Sequence, residues 1–283
     1  MSLATSNEIV AAAVREGTGV GAFNVIQLEH IEAVVTGAER AGRPVILQIS
    51  ENAVRYHGAL GPTGLAALAA ARAASVPVAV HLDHAESAEL VAEAVELGLT
   101  SVMFDGARLP YQQNVAATAA AVTLCRSHGV SVEAELGEIG GKDGAHAPGV
   151  RTDPAEAHAF ATATGVDALA VAVGSSHAMS TRDAKLDFGL IAELRAAVPV
   201  PLVLHGSSGV ADEDLVRAVA AGISKVNIGT QLNRVFTREL RARLDAGPEL
   251  VDPRKYFAPA REAVTEEVAR LLRVLAGGGR TAA

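Results

Sequence analysis

The sequence predicts an α/β protein, a (β/α)8 TIM barrel with an extra C-terminal helix, and three observations carry that prediction. A unit recurs along the 283 residues: a short run rich in Val, Ile and Ala, a loop, then a segment of helical period. That segment often ends at a glycine just before the next apolar run, as in AGRPVIL, LGLTSVMF, HGVSVEAEL, TGVDALAVAV and AGISKVNI. The apolar runs are continuous rather than alternating, which suits parallel strands buried on both faces.

The elements follow in order. Strands are predicted near 20–25, 44–50, 77–82, 101–105, 131–136, 168–173, 201–205 and 225–229, and helices near 28–41, 63–75, 87–97, 111–127, 154–164, 187–197, 212–221 and 231–245. Gly42, Gly98, Gly129, Gly165 and Gly222 suit the left-handed residue that ends a helix. Asp153-Pro154 places an N-cap acid before a proline in the first helical position. Asp252-Pro253 repeats the device and opens an added helix over roughly 253–275, expected to pack on the barrel or on a partner subunit. The whole chain reads as one domain over 1–283, with the barrel over about 18–245 and the helical extension over about 252–276. The longest loop, 138–152, is rich in Gly and polar residues and reads as a mobile lid on the side where the fifth strand ends.

Composition narrows the function. Hydrophobic residues make up 49%, enough to close a large core, and no apolar run is long enough to span a membrane. The first residues, MSLATSNEIVAAAVREG, lack a basic segment followed by an apolar one, so the expected location is cytoplasmic. Cys125 is the single cysteine and sits in a helix-like run, which fits packing rather than reactivity. A formal charge of −8 without long blocks of either sign argues against a nucleic-acid partner. An anionic substrate would then be held by loop amides, helix N-termini and one or two arginines.

In a barrel of this kind the chemistry lies at the C-terminal ends of the strands, and phosphate is often held after strands seven and eight. Those loops read His205-Gly206-Ser207-Ser208-Gly209 and Asn227-Ile228-Gly229-Thr230. Small residues let backbone amides approach an anion, and Ser208 and Thr230 add hydroxyls at helix starts; one such loop alone could be an ordinary turn, but two adjacent ones favour a phosphate site. The glycines of GTGVG, 17–21, precede a strand instead of following one, which argues against a dinucleotide site.

Three histidines, His84, His177 and His205, end strands three, six and seven, and their convergence at one mouth would make a catalytic zinc site. A lone histidine is more often a surface or core residue, the reading given to His30, His57, His128, His146 and His158. His81 and Asp83 share the strand end with His84, so one member of that cluster could merely orient the others. Asp83 can act as general acid or base. Asp105 and Glu135 are carboxylates that a barrel interior must pair or bind to metal, with a structural hydrogen-bonding role about as plausible as ligation.

At HLDH, VEAELGEIGG, VGSSH, LVLHGSSGV and KVNIGTQL, in this order over about 220 residues, the chain resembles the class II, zinc-dependent ketose-bisphosphate aldolases. The resemblance implies a metal held by His84, His177 and His205 and a proton transfer by Asp83 at the hydroxyl on carbon four. It implies that the dihydroxyacetone-phosphate part is held by Ala178, Gly206, Ser207, Ser208, Asn227, Ile228, Gly229 and Thr230, and that Ser50 touches the aldehyde-phosphate part. Some members bind an accessory metal through acids matching Asp105 and Glu135, and many use a monovalent cation, Na+ or K+, near the phosphate. Two positions depart from the pattern. Ala178 stands where many members have Gly, and Asp143 is the nearest replacement for the lid glutamate that some members use for proton transfer.

The resemblance implies reversible cleavage of a ketose 1,6-bisphosphate, fructose 1,6-bisphosphate by preference, to dihydroxyacetone phosphate and glyceraldehyde 3-phosphate. Tagatose bisphosphate or an inositol-pathway keto-deoxy acid phosphate are the alternative substrates, and a homodimer or homotetramer is the expected assembly. A non-catalytic phosphosugar-binding barrel would explain the loops but not three converging histidines. A Schiff-base aldolase would need a lysine at a catalytic strand end, whereas Lys225 is read at the entry of strand eight and Lys142, Lys185 and Lys255 in loops or the terminal segment.

Overall fold

Residue alternation along each strand decides which side chains face the barrel axis and which face the surrounding helices. In the computed structural model, which describes residues 2–136, 150–175 and 182–277, eight parallel strands close into a barrel. They are β1 (Val20–Asn24), β2 (Val45–Ser50), β3 (Val78–Ala85), β4 (Ser101–Phe104), β5 (Ser131–Leu136), β6 (Ala168–Val171), β7 (Leu202–Leu204) and β8 (Ile223–Ile228). Pairing of β1 with β8 completes the closure. This is the TIM barrel that the recurring unit predicts.

The helices are α1 (Ser6–Glu16), α2 (Leu28–Ala41), α3 (Glu51–His57), α4 (Gly61–Ala73), α5 (Ala88–Leu97), α6 (Tyr111–Arg126), α7 (Pro154–Thr164), α8 (Phe188–Ala197), α9 (Asp212–Ala221), α10 (Thr230–Ala246) and α11 (Pro253–Leu275). All five junction glycines have positive φ, the backbone state that stops a helix and turns the chain into the next strand. After β2 the structure has two helices where one was expected near 63–75: Gly58, at φ 79°, ends α3, and Pro62 in the first turn of α4 starts a second helix.

A helix not among the expected elements, α1, precedes β1. That helix is held by a capping box in which Thr5 and Glu8 satisfy each other's backbone N–H groups. Its Ile9, Val10 and Ala13 pack against Val20, Ala22, Ile46 and Ala79, so α1 plugs the N-terminal end of the barrel.

Outward-facing Phe23, Leu47, Ile49, Val80, Leu82, Val132 and Ala134 join the core between strands and helices. Their neighbours Gln48, His81, Asp83, Glu133, Glu135, Lys225 and Asn227 are polar, yet all are buried. Beside α1 the barrel is apolar on β1 to β3, with Ser101 and Ser131 on β4 and β5, and it becomes more polar and charged toward the strand ends. No described helix is long and apolar enough to cross a membrane.

The added helix α11 packs on α2 and α10. Exposed ion pairs run along the first contact, from Arg40 to Glu262 and Glu266 and from Arg261 to Glu32, and pairs of this kind contribute little. Close approach is the stronger determinant. A Cβ on Gly37 would lie 2.7 Å from the Thr265 carbonyl oxygen and 2.8 Å from Val268 Cβ. Helix propensity alone would make Gly37→Ala stabilising by about 1 kcal/mol. Overpacking against α11 is expected to reverse the sign and cost about 1–3 kcal/mol, read as a lowered midpoint in chemical denaturation; an unchanged or raised midpoint would show that the two helices can separate freely.

Candidate metal and phosphosugar site

Asp83 and His84 are adjacent, and in a regular strand they would point to opposite faces. The register of β3 against β4 shifts between Leu82 and Ala85, and His84 has φ 54°, the positive-φ non-glycine among the described residues. Such a bulge re-aims a side chain at the cost of local strain. As a result the Asp83 carboxylate, His84 and His205 bring ligand-type atoms within 4.8 Å of one another.

Each imidazole is oriented by a carboxylate. His84 Nδ1 lies 2.7 Å from Asp105 Oδ2 just beyond β4, and His205 Nε2 lies 3.0 Å from Glu133 Oε1 on β5. His205 Nδ1 is 3.7 Å from Glu135 Oε2, and the two rings stand 4.9 Å apart, nearly perpendicular. His84, Asp105 and Glu135 form a second group whose ligand-type atoms also lie within 4.8 Å of one another. Asp105 is thus a hydrogen-bonding partner of His84 and also belongs to this second group.

Electrostatics keep these groups in useful protonation states. Burial pushes the Asp83 carboxyl up, but His84, His205, His81 and Lys225 together outweigh it and hold it at about 2. Burial lowers His205, keeping it neutral and able to donate a lone pair, against the opposing pull of Glu133. His81 is lowered to about 3, first by burial and then by Lys225, and its Nδ1 sits 2.6 Å from Ser101 Oγ in a buried structural contact. Asn24 Nδ2 donates to Asp83 Oδ2 at 3.0 Å, and Gln48 Nε2 to Asn24 Oδ1 at 3.4 Å, which fixes the carboxylate's orientation. The other oxygen, Asp83 Oδ1, is buried with no hydrogen-bond partner among the described residues.

The donor set fits a divalent metal: a neutral imidazole at His205, an ionised carboxylate at Asp83, and a carboxylate behind both His84 and His205. His177, the third histidine of the predicted set, lies outside the described residues, as do Ala178 and Asp143.

The two loops after β7 and β8 are neighbours. Gly206 has φ 67°, Ser207 Oγ donates to the Asn227 carbonyl at 2.5 Å, and Ser208 Oγ accepts the Gln231 N–H at 3.1 Å. Gly229 precedes α10, which starts at Thr230, and a Cβ there would meet Asn24 Oδ1 at 2.9 Å. Ile228 is buried toward the helices, so its backbone rather than its side chain faces this region. Ser50 lies opposite Asp83 in the β2–β3 register, and its hydroxyl accepts the Ala53 N–H as the cap of α3.

Several members of this site were not singled out from the sequence. Glu133 was passed over although VEAEL alternates two glutamates onto one face; that period of two was the available signal. Asn24 and Gln48 offered no signal beyond being polar residues inside apolar runs. Arg182 borders the phosphate-type loops, donating to the Val210 carbonyl and pairing with Asp212. Lys225 requires a correction: it stands third in β8 rather than at its entry, is 1% exposed, and donates to Glu133 Oε2 at 2.7 Å. Bound there as one half of an ion pair, it is no free amine for a Schiff base.

A family model described as fructose-bisphosphate aldolase class-II matches residues 4–280. A probable fructose-bisphosphate aldolase of Bacillus subtilis (strain 168) is 41% identical over 272 residues, covering 95% of each chain. A fructose-bisphosphate aldolase of Geobacillus stearothermophilus is 38% identical over 286 residues and the full length of both. Among solved structures, the YdjI aldolase from Escherichia coli K12 superposes with a TM-score of 0.86 at 30% identity, covering 98% of this chain and 99% of that one. With the profile, the full-length relatives and the clustered histidines and carboxylates in agreement, the chain belongs to the class-II fructose-bisphosphate aldolase family and is a carbon–carbon lyase of the ketose-bisphosphate aldolase type, a family typically dependent on a metal.

Proposed function

We propose that this chain is a zinc-dependent aldolase that reversibly cleaves fructose 1,6-bisphosphate to dihydroxyacetone phosphate and glyceraldehyde 3-phosphate. The observation that carries the reading is the approach of Asp83, His84 and His205 to within 4.8 Å at the C-terminal mouth of the barrel. His84, His205 and His177 would hold the zinc, with Asp105 and Glu135 available to an accessory ion. Bound there, the metal supplies Lewis acidity, drawing electron density from the ketose carbonyl as the carbon–carbon bond breaks.

The protein's own groups do the rest. Asp83, ionised and oriented by Asn24, takes the proton from the hydroxyl on carbon four; that carbon becomes the aldehyde, and the electron pair of the broken bond stays with the dihydroxyacetone-phosphate fragment. A proton from Asp143 or from water then completes that product. Backbone amides of Ala178, Gly206 to Ser208 and Asn227 to Thr230 would grip one phosphate, with a monovalent cation, Na+ or K+, beside it, and Ser50 would touch the other. Grips far from the reacting bond convert binding energy into positioning. The same chemistry accommodates tagatose bisphosphate or a keto-deoxy acid phosphate. A cytoplasmic homodimer or homotetramer is the assembly that goes with this reading.

Replacing His205 by Ala is expected to remove metal loading and cleavage together, measured by elemental analysis and a coupled aldehyde assay; turnover at the wild-type rate would take His205 out of the site. Asp83→Ala should keep its metal and its affinity for dihydroxyacetone phosphate while losing about 10²–10⁴-fold in kcat, the usual worth of a positioned acid or base. For the substrate, the three candidate phosphosugars should be compared before and after chelation. Fructose 1,6-bisphosphate is expected to show the highest kcat/KM and to lose it on metal removal, and cleavage that survives rigorous demetallation would refute the zinc-dependent reading.

A further inference from the structure

Beneath the mouth of the barrel lies an ion pair that the proposed chemistry does not use. Lys225 on β8 and Glu133 on β5 are 1% and 3% exposed, and Lys225 Nζ donates to Glu133 Oε2 at 2.7 Å. The other oxygen, Glu133 Oε1, lies 3.0 Å from Nε2 of His205, which is fully buried. Burying two charges costs several kcal/mol each, and such pairs can often be replaced by apolar side chains with no loss of stability. Stability alone therefore gives no account of this one.

Its geometry does. An ionised carboxylate only accepts hydrogen bonds, so the short contact to Glu133 requires a proton on Nε2. A neutral imidazole carries one such proton, and its lone pair must then sit on Nδ1. Nδ1 is the nitrogen on the side of Glu135, at 3.7 Å, and Glu135 belongs with His84 and Asp105 to the second group of possible ligands. Asn227 Nδ2 stands 2.9 Å from the same Nε2, while Asn227 Oδ1 is buried with no hydrogen-bond partner among the described residues. Turning that amide by 180° puts Oδ1 rather than an N–H donor beside the Nε2–H group, which removes the opposition of two donors, while Nδ2 takes the place where Oδ1 stood.

We propose that Glu133 and Lys225 are positioning residues: Lys225 keeps Glu133 in place as an acceptor, and Glu133 holds His205 in the Nε2-protonated tautomer that presents Nδ1 to the metal site. The inference rests on the metal reading of His205 given above. Three strands contribute to the arrangement, so the preference is built into the barrel wall and is present before any ion arrives.

The first test is the metal-free wild-type protein with ¹⁵N-labelled histidine, read by long-range ¹H–¹⁵N NMR near pH 7.5, with the His205 signals assigned by their loss in His205→Gln. Nε2 protonation is expected, and an Nδ1-protonated ring would overturn the proposal. Glu133→Gln, whose amide can donate as well as accept, should mix the tautomers and weaken zinc binding about 10–100-fold in competition with a chromophoric chelator, the range usual for lost outer partners. KM for the bisphosphate at saturating zinc should stay as in the wild type. Lys225→Met should shift zinc affinity in the same direction. Unchanged zinc affinity in both variants, even with a lowered thermal midpoint, would make the pair merely structural and overturn the proposal. Should neither variant fold, the tautomer of the wild-type protein still decides. Absence of zinc binding by the wild type would instead refute the proposed function, a result distinct from the tautomer measurement.

Discussion

Charge sealed inside a closed barrel must be compensated where it lies, and that constraint organises the whole catalytic half of this molecule. Eight strands leave no edge through which water could solvate the axis, so every polar residue facing inward needs a protein partner or an ion. Glu133 meets the need with Lys225 and His205, Asp83 with Asn24 and the neighbouring imidazoles, and Asp105 with His84. Near α1 the same axis is filled by Val20, Ala22, Ile46 and Ala79, which require only packing. The barrel is thus divided along its length into a floor that supplies stability and a mouth that supplies chemistry.

Local strain is the second device. A β-strand alternates its side chains, yet Asp83 and His84 both join one cluster of ligand-type groups. The bulge between β3 and β4 and the positive φ of His84 turn two neighbours toward one ion-sized region. A donor that has lost its freedom to swing away can hold an ion with less entropic cost. Carboxylates behind the rings serve the same purpose by choosing which nitrogen keeps the proton.

The loops after β7 and β8 are held together by small parts. Ser207 and Ser208 bond across to Asn227 and Gln231, joining the two loops into one rigid surface. Gly229 allows Asn24 to approach, so the residue that orients Asp83 also abuts the second loop. A single asparagine thus links the Asp83 carboxylate to the loop after β8.

The fold class, the strand order and the helix stops at glycine were legible in the amino-acid string, because hydrophobic period and turn chemistry are local properties that each short segment carries by itself; the string also marked out His84, His205 and Asp83, which the structure brings together. Helix α1 and the split into α3 and α4 were marked by Thr5 with Glu8 and by Gly58 with Pro62, local signals that the reading passed over. Which partners would meet was not legible, although Asp105 and Glu135 stood out as carboxylates in need of one. That Glu133 would face His205, 72 residues away, and Lys225, 92 residues away, follows from which strands the closed sheet sets across the axis from one another. Sequence alone determined what each segment would become; only closure of the barrel decided which charges would meet, since Coulomb and hydrogen-bonding forces act over a few ångströms in space and carry no trace of separation along the chain.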